Sequence, residues 1–198
     1  MEPIYAENII RARNAAKEDE CVIENHSEKG YIIVKYEKME LDEREFLNGQ
    51  IVMLIPKLLQ PMPEDLIQIK YPNPERPEWI VSDEEGKVSL GISLEKGEIE
   101  NGDIEEIVNI LKKEMQRMYP ASKIEIENPV GEGKEKVYWF SLDIPLIDDI
   151  CCHVMFFREV KGGLLMGTLD CSKDEKKMWK DALRQILGTI KDRYEKYE

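Results

Sequence analysis

Residues 150–157 constrain the fold more strongly than any other segment, because this run is apolar at nearly every position. It is too short to cross a membrane as a helix, which requires about 20 apolar residues, and it has the length of a β-strand. A strand that is apolar on both faces must be covered on both faces. We therefore predict a central strand over residues 150–160, in a sheet with helices on both sides.

Turn residues and periodicity predict further strands. Lys161, Gly162 and Gly163 are typical of a tight hairpin, so the central strand should pair with the segment that follows it. Residues 88–94 alternate apolar and small side chains, which indicates a strand with one buried face. The remaining predicted strands are residues 51–55, 66–71, 79–82, 123–128, 135–144 and 163–171.

Two predicted helices cover the faces of the sheet. Apolar residues recur at helical spacing over residues 103–118, with Asp103 as the predicted N-cap. A terminal helix over residues 173–193 follows Ser172 and Glu175, which have the spacing of a capping box. The predicted fold class is therefore α+β, an α/β/α sandwich around a predominantly antiparallel sheet.

The first 45 residues are the most polar and least patterned part of the 198-residue chain. A short helix over residues 6–16 and a strand over residues 31–36 are predicted within them. We predict two units: an N-terminal extension, residues 1–45, that packs on the main domain, residues 46–198.

The charge balance narrows the class of partner. The chain carries 41 Asp and Glu against 28 Lys and Arg, which gives a formal net charge of −13. Because nucleic-acid binding relies on a basic surface, nucleic acid is not expected as a partner. The acidic residues are dispersed through turns, helix starts and strand faces, so we interpret them as a solubility feature that biases partners towards basic surfaces.

The sequence also predicts a compartment. No apolar run is long enough for a membrane span, and residues 1–20 lack the apolar core of a secretory signal. The cysteines, Cys21, Cys151, Cys152 and Cys171, are too few and too irregularly spaced for a disulfide framework. We therefore expect reduced thiols and a cytoplasmic protein.

Asp149, Cys151 and His153 are the residues that most resemble a reactive site. Alternate residues of a strand share one face, so these side chains match a three-ligand zinc site, or a nucleophile with its base. The competing interpretation is structural, because cysteine in an apolar strand acts as a small apolar residue and His153 then lies in the core or at an edge. We favour the structural interpretation and predict no metal, no cofactor and no catalytic residue.

Two loops hold the other notable residues. Residues 131–134 contain two glycines and a lysine without the pattern of a phosphate-binding loop, and they predict a hairpin-type turn. Residues 72–79 form a proline-rich loop with Pro74, Arg76 and Trp79, and Arg and Trp are enriched at protein interfaces. We predict these three as binding residues. The alternative is that Trp79 is a core residue that begins a strand.

Several segments combine short apolar strands with prolines, a glycine hairpin and a tryptophan in the last helix. They are residues 54–62, 69–72, 76–77, 155–159, 162–163 and 169–171, with Trp179. Together they resemble the DcrB-like branch of the PsbP-like proteins, over roughly residues 46–193. This resemblance is one of pattern and includes no catalytic motif.

The resemblance implies a small bacterial protein with a Mog1p/PsbP-like fold that binds other molecules. Relatives of that fold include photosystem accessory proteins, a Ran-binding import factor and chaperones that shield apolar segments of secreted effectors. We therefore predict a non-catalytic protein-binding module with an adaptor, chaperone or immunity-type role. The alternatives are a metal- or thiol-dependent hydrolase centred on Asp149, Cys151 and His153, and a small-ligand sensor with a cleft between sheet and helix.

Overall fold

The structure is a computed structural model that describes residues 24–34, 37–97, 103–147 and 149–194. These residues form two antiparallel sheets and three α-helices. The strands are β1 Glu24–His26, β2 Tyr31–Val34, β3 Glu37–Phe46, β4 Ile51–Pro56, β5 Gln60–Pro61, β6 Trp79–Ser82, β7 Ser89–Lys96, β8 Ile124–Ile126, β9 Tyr138–Pro145, β10 Ile150–Val160, β11 Gly163–Ser172 and β12 Lys191–Asp192. The helices are α1 Glu64–Lys70, α2 Asp103–Met118 and α3 Lys176–Leu187. The helix predicted over residues 6–16 lies outside the described residues.

A seven-stranded sheet forms the main layer, with strand order β5-β6-β7-β11-β10-β9-β8. Every neighbouring pair of strands in it is antiparallel. The pairing of β10 with β11 begins next to the turn, where Val160 lies opposite Gly163, and continues to Cys151 opposite Ser172. Gly162 in the turn has a φ of 87°, a backbone conformation that favours glycine. The predicted central strand, its hairpin and the α+β fold class are confirmed.

The two faces of this sheet are covered unequally. On one face, the alternate β10 residues from Cys152 to Phe156 are fully buried in the core that contains α3 and the second sheet. On the other face, α2 packs on Phe157, while the alternate residues Cys151, His153 and Met155 stay partly exposed. The prediction that both faces are fully covered is wrong for that half of the strand, because α2 packs on the half nearer the hairpin.

The second sheet has five strands in the order β1-β2-β3-β4-β12. β2 and β4 coincide with the strands predicted over residues 31–36 and 51–55, but the sequence does not predict that they form a separate sheet. β3 pairs with β4 from Leu41 opposite Pro56 to Phe46 opposite Ile51, so it runs across the predicted boundary after residue 45. The apolar residues of this sheet join the same core as α3. The division into residues 1–45 and 46–198 stays a prediction about folding units.

Residues 66–71 were predicted to form a strand, and that prediction is wrong, because most of them lie in α1. The first turn of α1 holds Glu64 and Asp65, and its last turn holds Lys70. Acidic residues at the first turn and a basic residue at the last turn stabilise a helix through its dipole. With only 7 residues, this helix is too short for its apolar periodicity to be recognised.

The proline-rich loop explains why β7 differs from its predicted single buried face. The residues from Ser89 to Ile92 are buried on both faces. A Cβ on Gly91 would lie 2.6 Å from Cγ of Pro77, so the glycine lets the loop pack directly on the strand. The terminal helix is also shorter than predicted, because it ends at Leu187 and the chain then pairs as β12 with β4.

Candidate functional site

An open cleft of about 710 Å³ lies at the end of the seven-stranded sheet where β9 ends and β10 begins. The ends of α1, α2 and β11 complete its walls. One wall is apolar and consists of Tyr119, Ile144, Leu146 and Ile150. The cleft lies between the residues that directly follow α1 and α2, since Tyr71 and Tyr119 both line it.

A hydrogen-bonded group around Asp170 lies on the floor of the cleft. Tyr71, directly after α1, donates to Oδ2 of Asp170 over 3.0 Å. Nδ1 of His153 lies 2.6 Å from Oδ1, and Sγ of Cys151 donates to the same oxygen over 3.7 Å. Because Tyr71 donates its proton to Asp170, the Ser89 hydroxyl, 2.8 Å away, donates to the Tyr71 oxygen. We call these five residues the Asp170 cluster.

Asp170 is held in its charged form. Burial alone opposes ionisation, but the hydrogen bonds from His153 and Tyr71 and the charge of Lys70 outweigh it, so the pKa of Asp170 is lowered from 3.8. A buried carboxylate with several donors is a stable arrangement rather than a poised base. The cluster therefore fastens the end of α1 to β7, β10 and β11.

The Cys151 thiol is unsuited to nucleophilic chemistry. Burial and the neighbouring Asp170 raise the pKa of Cys151 to about 12. The thiolate is the reactive form of cysteine, and a pKa in this range leaves almost none of it at neutral pH. The burial of Tyr71, with Asp170 beside it, likewise raises the pKa of its phenol above the ordinary range.

The structure does not assemble Asp149, Cys151 and His153 as a site. Asp149 lies in the loop before β10, where its Oδ1 accepts the Ile150 amide over 2.7 Å. Cys151 and His153 do share one face, but both contact Asp170 instead. Within the described parts of the chain, no group of three His, Cys, Asp or Glu residues has the geometry of a metal site.

Asp170 is the residue that the sequence interpretation missed. His153 lies seven residues before Val160, and Asp170 lies seven residues after Gly163, so a hairpin turning at Lys161 places them opposite each other. The turn residues therefore predict that His153 pairs with Asp170, because the loop length of a hairpin fixes the register of its strands.

Exposed apolar side chains border the mouth of the cleft. Leu146 is 58% exposed and Ile147 is 100% exposed, both in the loop between β9 and β10. Exposed apolar side chains beside an apolar cleft form a candidate interaction surface. We call Leu146 and Ile147 the apolar rim.

The charged residues of the cleft are unevenly paired. Lys70 donates to the backbone carbonyl of Gly86, and Lys87 forms an ion pair with Glu85. Asp149 and Glu175 also line the cleft. In the portion of the chain that the structure describes, neither carboxylate forms an ion pair, although the negative charge of Glu175 adds to that of Glu85 in raising the pKa of Lys87. The cleft therefore holds charges of both signs, with Lys70 and Lys87 beside Asp149, Asp170 and Glu175.

The predicted binding residues lie on the loop that leaves the cleft after Tyr71. Pro74 is exposed, and Arg76 donates to Oε1 of Glu64 over 3.2 Å. Trp79 begins β6 but is 43% exposed, with its ring edge-on to Phe46. Their role in binding stays a prediction.

The turn predicted at residues 131–134 is confirmed, because Val130 and Val137 on either side of it pair in an antiparallel bridge.

Three solved structures are similar to this chain. The solution structure of cyanobacterial PsbP from Synechocystis has a TM-score of 0.55 at 12% identity and covers 77% of this chain and 92% of its own. The Ran-binding protein Mog1p of Saccharomyces cerevisiae has a TM-score of 0.56 at 11% identity and covers 78% of this chain and 96% of its own. LpqN of Mycobacterium tuberculosis, involved in cell envelope biogenesis, has a TM-score of 0.49 at 12% identity and covers 77% of this chain and 90% of its own.

The chain therefore has the PsbP/Mog1-like fold, as its sequence pattern predicts. No protein-family model matches the sequence. No curated protein matches it either. The narrower assignment to the DcrB-like branch stays a prediction.

Proposed function

We propose that this protein is a non-catalytic protein-binding module, of adaptor, chaperone or immunity type, and that its partner docks in the cleft and on the apolar rim. The observation that carries the proposal is the apolar lining of the cleft by Ile144, Leu146 and Ile150, with the fully exposed Ile147 next to Leu146 in the chain. Burying apolar surface contributes about 25 cal/mol per Å², so a partner that covers these side chains gains binding energy. The PsbP/Mog1-like fold is compatible with a binding role, but a fold alone does not identify a partner.

The chemistry of the cleft supports binding rather than catalysis. Asp170 is saturated by three donors, and the pKa of Cys151 is raised by burial. A catalytic base or nucleophile needs a free, reactive form near neutral pH. Asp170 is ionised, but its lowered pKa makes it a weak base and both of its oxygens already accept hydrogen bonds, while the raised pKa of Cys151 keeps the thiol protonated. Both observations argue against the hydrolase alternative.

We further propose that the loop with Pro74, Arg76 and Trp79 extends the contact surface. The loop starts at the cleft with Tyr71, and Pro77 fixes it on Gly91. A rigid loop loses little conformational entropy when a partner binds.

We also propose a cytoplasmic location. Cys152 and Cys171 lie directly opposite each other on β10 and β11, and both are free thiols. Opposed thiols are more readily kept free in a reducing compartment. No helix among the described residues is long and apolar enough to cross a membrane. Cell fractionation followed by immunoblotting tests the location, and recovery of the protein in the envelope fraction would contradict it.

Affinity capture from cells that naturally make the protein tests the proposed function. We expect a specific protein to be retained by the immobilised wild type and lost from a Leu146→Glu/Ile147→Glu variant. The control is Ile126→Glu on β8, a residue that is 71% exposed but absent from the cleft lining. Circular dichroism establishes that each variant folds. The same set of captured proteins from wild type and rim variant would contradict the proposal.

The cleft also favours a second function, that of a small-ligand sensor. Its volume of about 710 Å³ lies within the range of about 300–1,000 Å³ that is usual for small-molecule sites. Thermal-shift screening against a metabolite library tests this function. A compound that raises the Tm of the wild type but not of an Ile150→Glu variant would support it, and a screen without such a compound would reject it.

A further inference from the structure

We propose that Cys152 and Cys171 form a redox site, in which a peroxide converts the two thiols into a reversible disulfide that fastens the open end of the β10–β11 hairpin. The site is independent of the proposed function, because it needs no partner protein. Three features of the structure support it: the register of the two strands, the shared face of the two side chains, and the charges beside one of them.

The register of the hairpin brings the two cysteines together. Cys152 on β10 lies directly opposite Cys171 on β11. Directly opposed residues of antiparallel strands have Cα atoms about 4.5–5.5 Å apart, and a disulfide requires about 4.4–6.8 Å. The disulfide can therefore form without displacement of either strand.

Both side chains point into the same part of the core. Cys152 and Cys171 are buried with the apolar residues of α3 and the second sheet, and the two thiols share a hydrogen bond. Cys151 points to the opposite face, where it contacts Asp170, and the residue opposite it on β11 is Ser172. Cys151 is therefore a matched control, because it lies on the same strand without an opposed cysteine.

The surroundings of the pair make Cys152 the more reactive thiol. The hydrogen bond with Cys171 lowers the pKa of Cys152, and the charges of Lys176 and Lys180 on α3 act in the same direction. These effects outweigh burial and the charge of Asp143, which raise it. The same hydrogen bond, together with burial, raises the pKa of Cys171. Because peroxide reacts with a thiolate, Cys152 is the attacking residue and Cys171 the resolving residue.

The disulfide forms in two steps. The Cys152 thiolate attacks one oxygen of hydrogen peroxide, the O–O bond breaks, and the hydroxide that leaves takes up the proton that Cys152 released. The Cys171 sulfur then attacks the sulfenic acid at Cys152, the S–O bond breaks, and the hydroxyl leaves as water with the Cys171 proton. The two thiols lose two electrons, and one peroxide becomes two waters. Two molecules of a small thiol reverse the bond by exchange and become a disulfide themselves.

The oxidant reaches the buried pair when the end of the hairpin opens. The pair lies next to the last paired residues of the hairpin, Cys151 and Ser172. Ends of paired strands open at a lower free-energy cost than their centres, and hydrogen peroxide is small enough to enter through such an opening. The disulfide then prevents further opening, because it links the two strands covalently.

Peptide mapping of the native wild-type protein after treatment with hydrogen peroxide tests the site. The remaining thiols are blocked with N-ethylmaleimide in urea before digestion, so that disulfides cannot exchange. We expect a pair of peptides joined through Cys152 and Cys171, which separates on reduction with dithiothreitol. Cys152→Ala and Cys171→Ala should abolish this link, and the control Cys151→Ser should retain it. The wild-type map decides the result even if an alanine variant fails to fold.

Thermal unfolding of the oxidised protein, before and after dithiothreitol, tests the fastening of the hairpin. The disulfide should raise the Tm by roughly 5–10 °C, because a cross-link restricts the unfolded chain. Methionine sulfoxide is absent from this difference, since dithiothreitol leaves it in place under these conditions. An unchanged or lower Tm would overturn the fastening.

Three mapping results would overturn the redox site and leave the proposed binding function intact. Conversion of Cys152 to sulfinic or sulfonic acid without a linked peptide would show that Cys171 does not resolve the first product. A link from either residue to another cysteine would contradict the pairing. A link that forms only when peroxide is added in urea would show that the folded protein does not react.

Discussion

At Asp170, one carboxylate accepts hydrogen bonds from Tyr71, His153 and Cys151, which come from two different parts of the chain. Tyr71 follows α1, whereas the other two lie on β10. Because a buried donor that loses its acceptor costs free energy, the three contacts act together to hold the end of α1 on the sheet. The floor of the cleft therefore depends on a single charged residue.

Asp170→Asn should lower the free energy of unfolding by about 2–3 kcal/mol. An amide keeps the size of the side chain but replaces one acceptor oxygen by a donor, which leaves Tyr71 or His153 without its partner. Urea unfolding measures the effect. The control Asp174→Asn changes an exposed residue and should shift stability by no more than about 0.5 kcal/mol. Equal effects of the two substitutions would contradict the structural role of Asp170.

The contribution of Asp170 to stability should depend on pH. Its pKa in the folded protein is lower than 3.8, so its contribution is fully present above the unfolded pKa and is lost as pH falls through the folded pKa. The difference in unfolding free energy between wild type and Asp170→Asn should be constant near neutral pH and narrow below about pH 4. Urea unfolding at several pH values measures it. A difference that widens as the pH falls would have the wrong sign.

Cys151 should react slowly with alkylating agents in the folded protein. With its pKa raised to about 12 by burial, the thiolate fraction at about pH 8 is on the order of one in ten thousand. A free thiol is roughly one-tenth ionised at this pH, so iodoacetamide labelling followed by mass spectrometry of the peptide with Cys151 should show a rate about 1,000-fold below that of glutathione. Unfolding in urea should restore rapid labelling. A folded-state rate equal to that of glutathione would show a reactive thiolate.

At the scale of elements, sequence patterns predicted the long, strongly periodic segments. α2 and the β10–β11 hairpin follow from apolar spacing and glycine turns. α1 was predicted as a strand because it is short, and β3 was missed because charged side chains occupy most of its positions. The Asp170 cluster was missed because it joins residues from three strands and a helix end, although the hairpin register already placed Asp170 opposite His153. Contacts between distant elements are not encoded in local periodicity.

Gly167→Ala should destabilise the central hairpin by about 1–3 kcal/mol. Gly167 lies opposite Phe156, and a Cβ at Gly167 would lie 1.9 Å from Cζ of that fully buried ring. Because Phe156 is enclosed by the core, the ring cannot move aside without strain. Thermal or urea unfolding measures the loss. Gly97→Ala is the control, since a Cβ there meets no atom within 4 Å, and equal stability changes would contradict the packing described for β10 and β11.

At the scale of the whole molecule, the unequal cover of the seven-stranded sheet connects the fold to the proposed function. One face is closed by α3 and the five-stranded sheet, while the other is only partly covered, by α2 and by the proline-rich loop at Gly91. The opening between these covers forms the cleft, and the apolar rim lies at its mouth. The proposed binding function rests on this incompletely covered surface.

Photo-crosslinking in cells that naturally make the protein tests this account most directly. A photoreactive amino acid replaces Ile147 at the apolar rim or, as the control, Ile126 on β8, which is exposed outside the cleft lining. The account predicts a discrete crosslinked protein from position 147 and none of the same size from position 126. No adduct from position 147, or the same adduct from both positions, would contradict docking at the cleft.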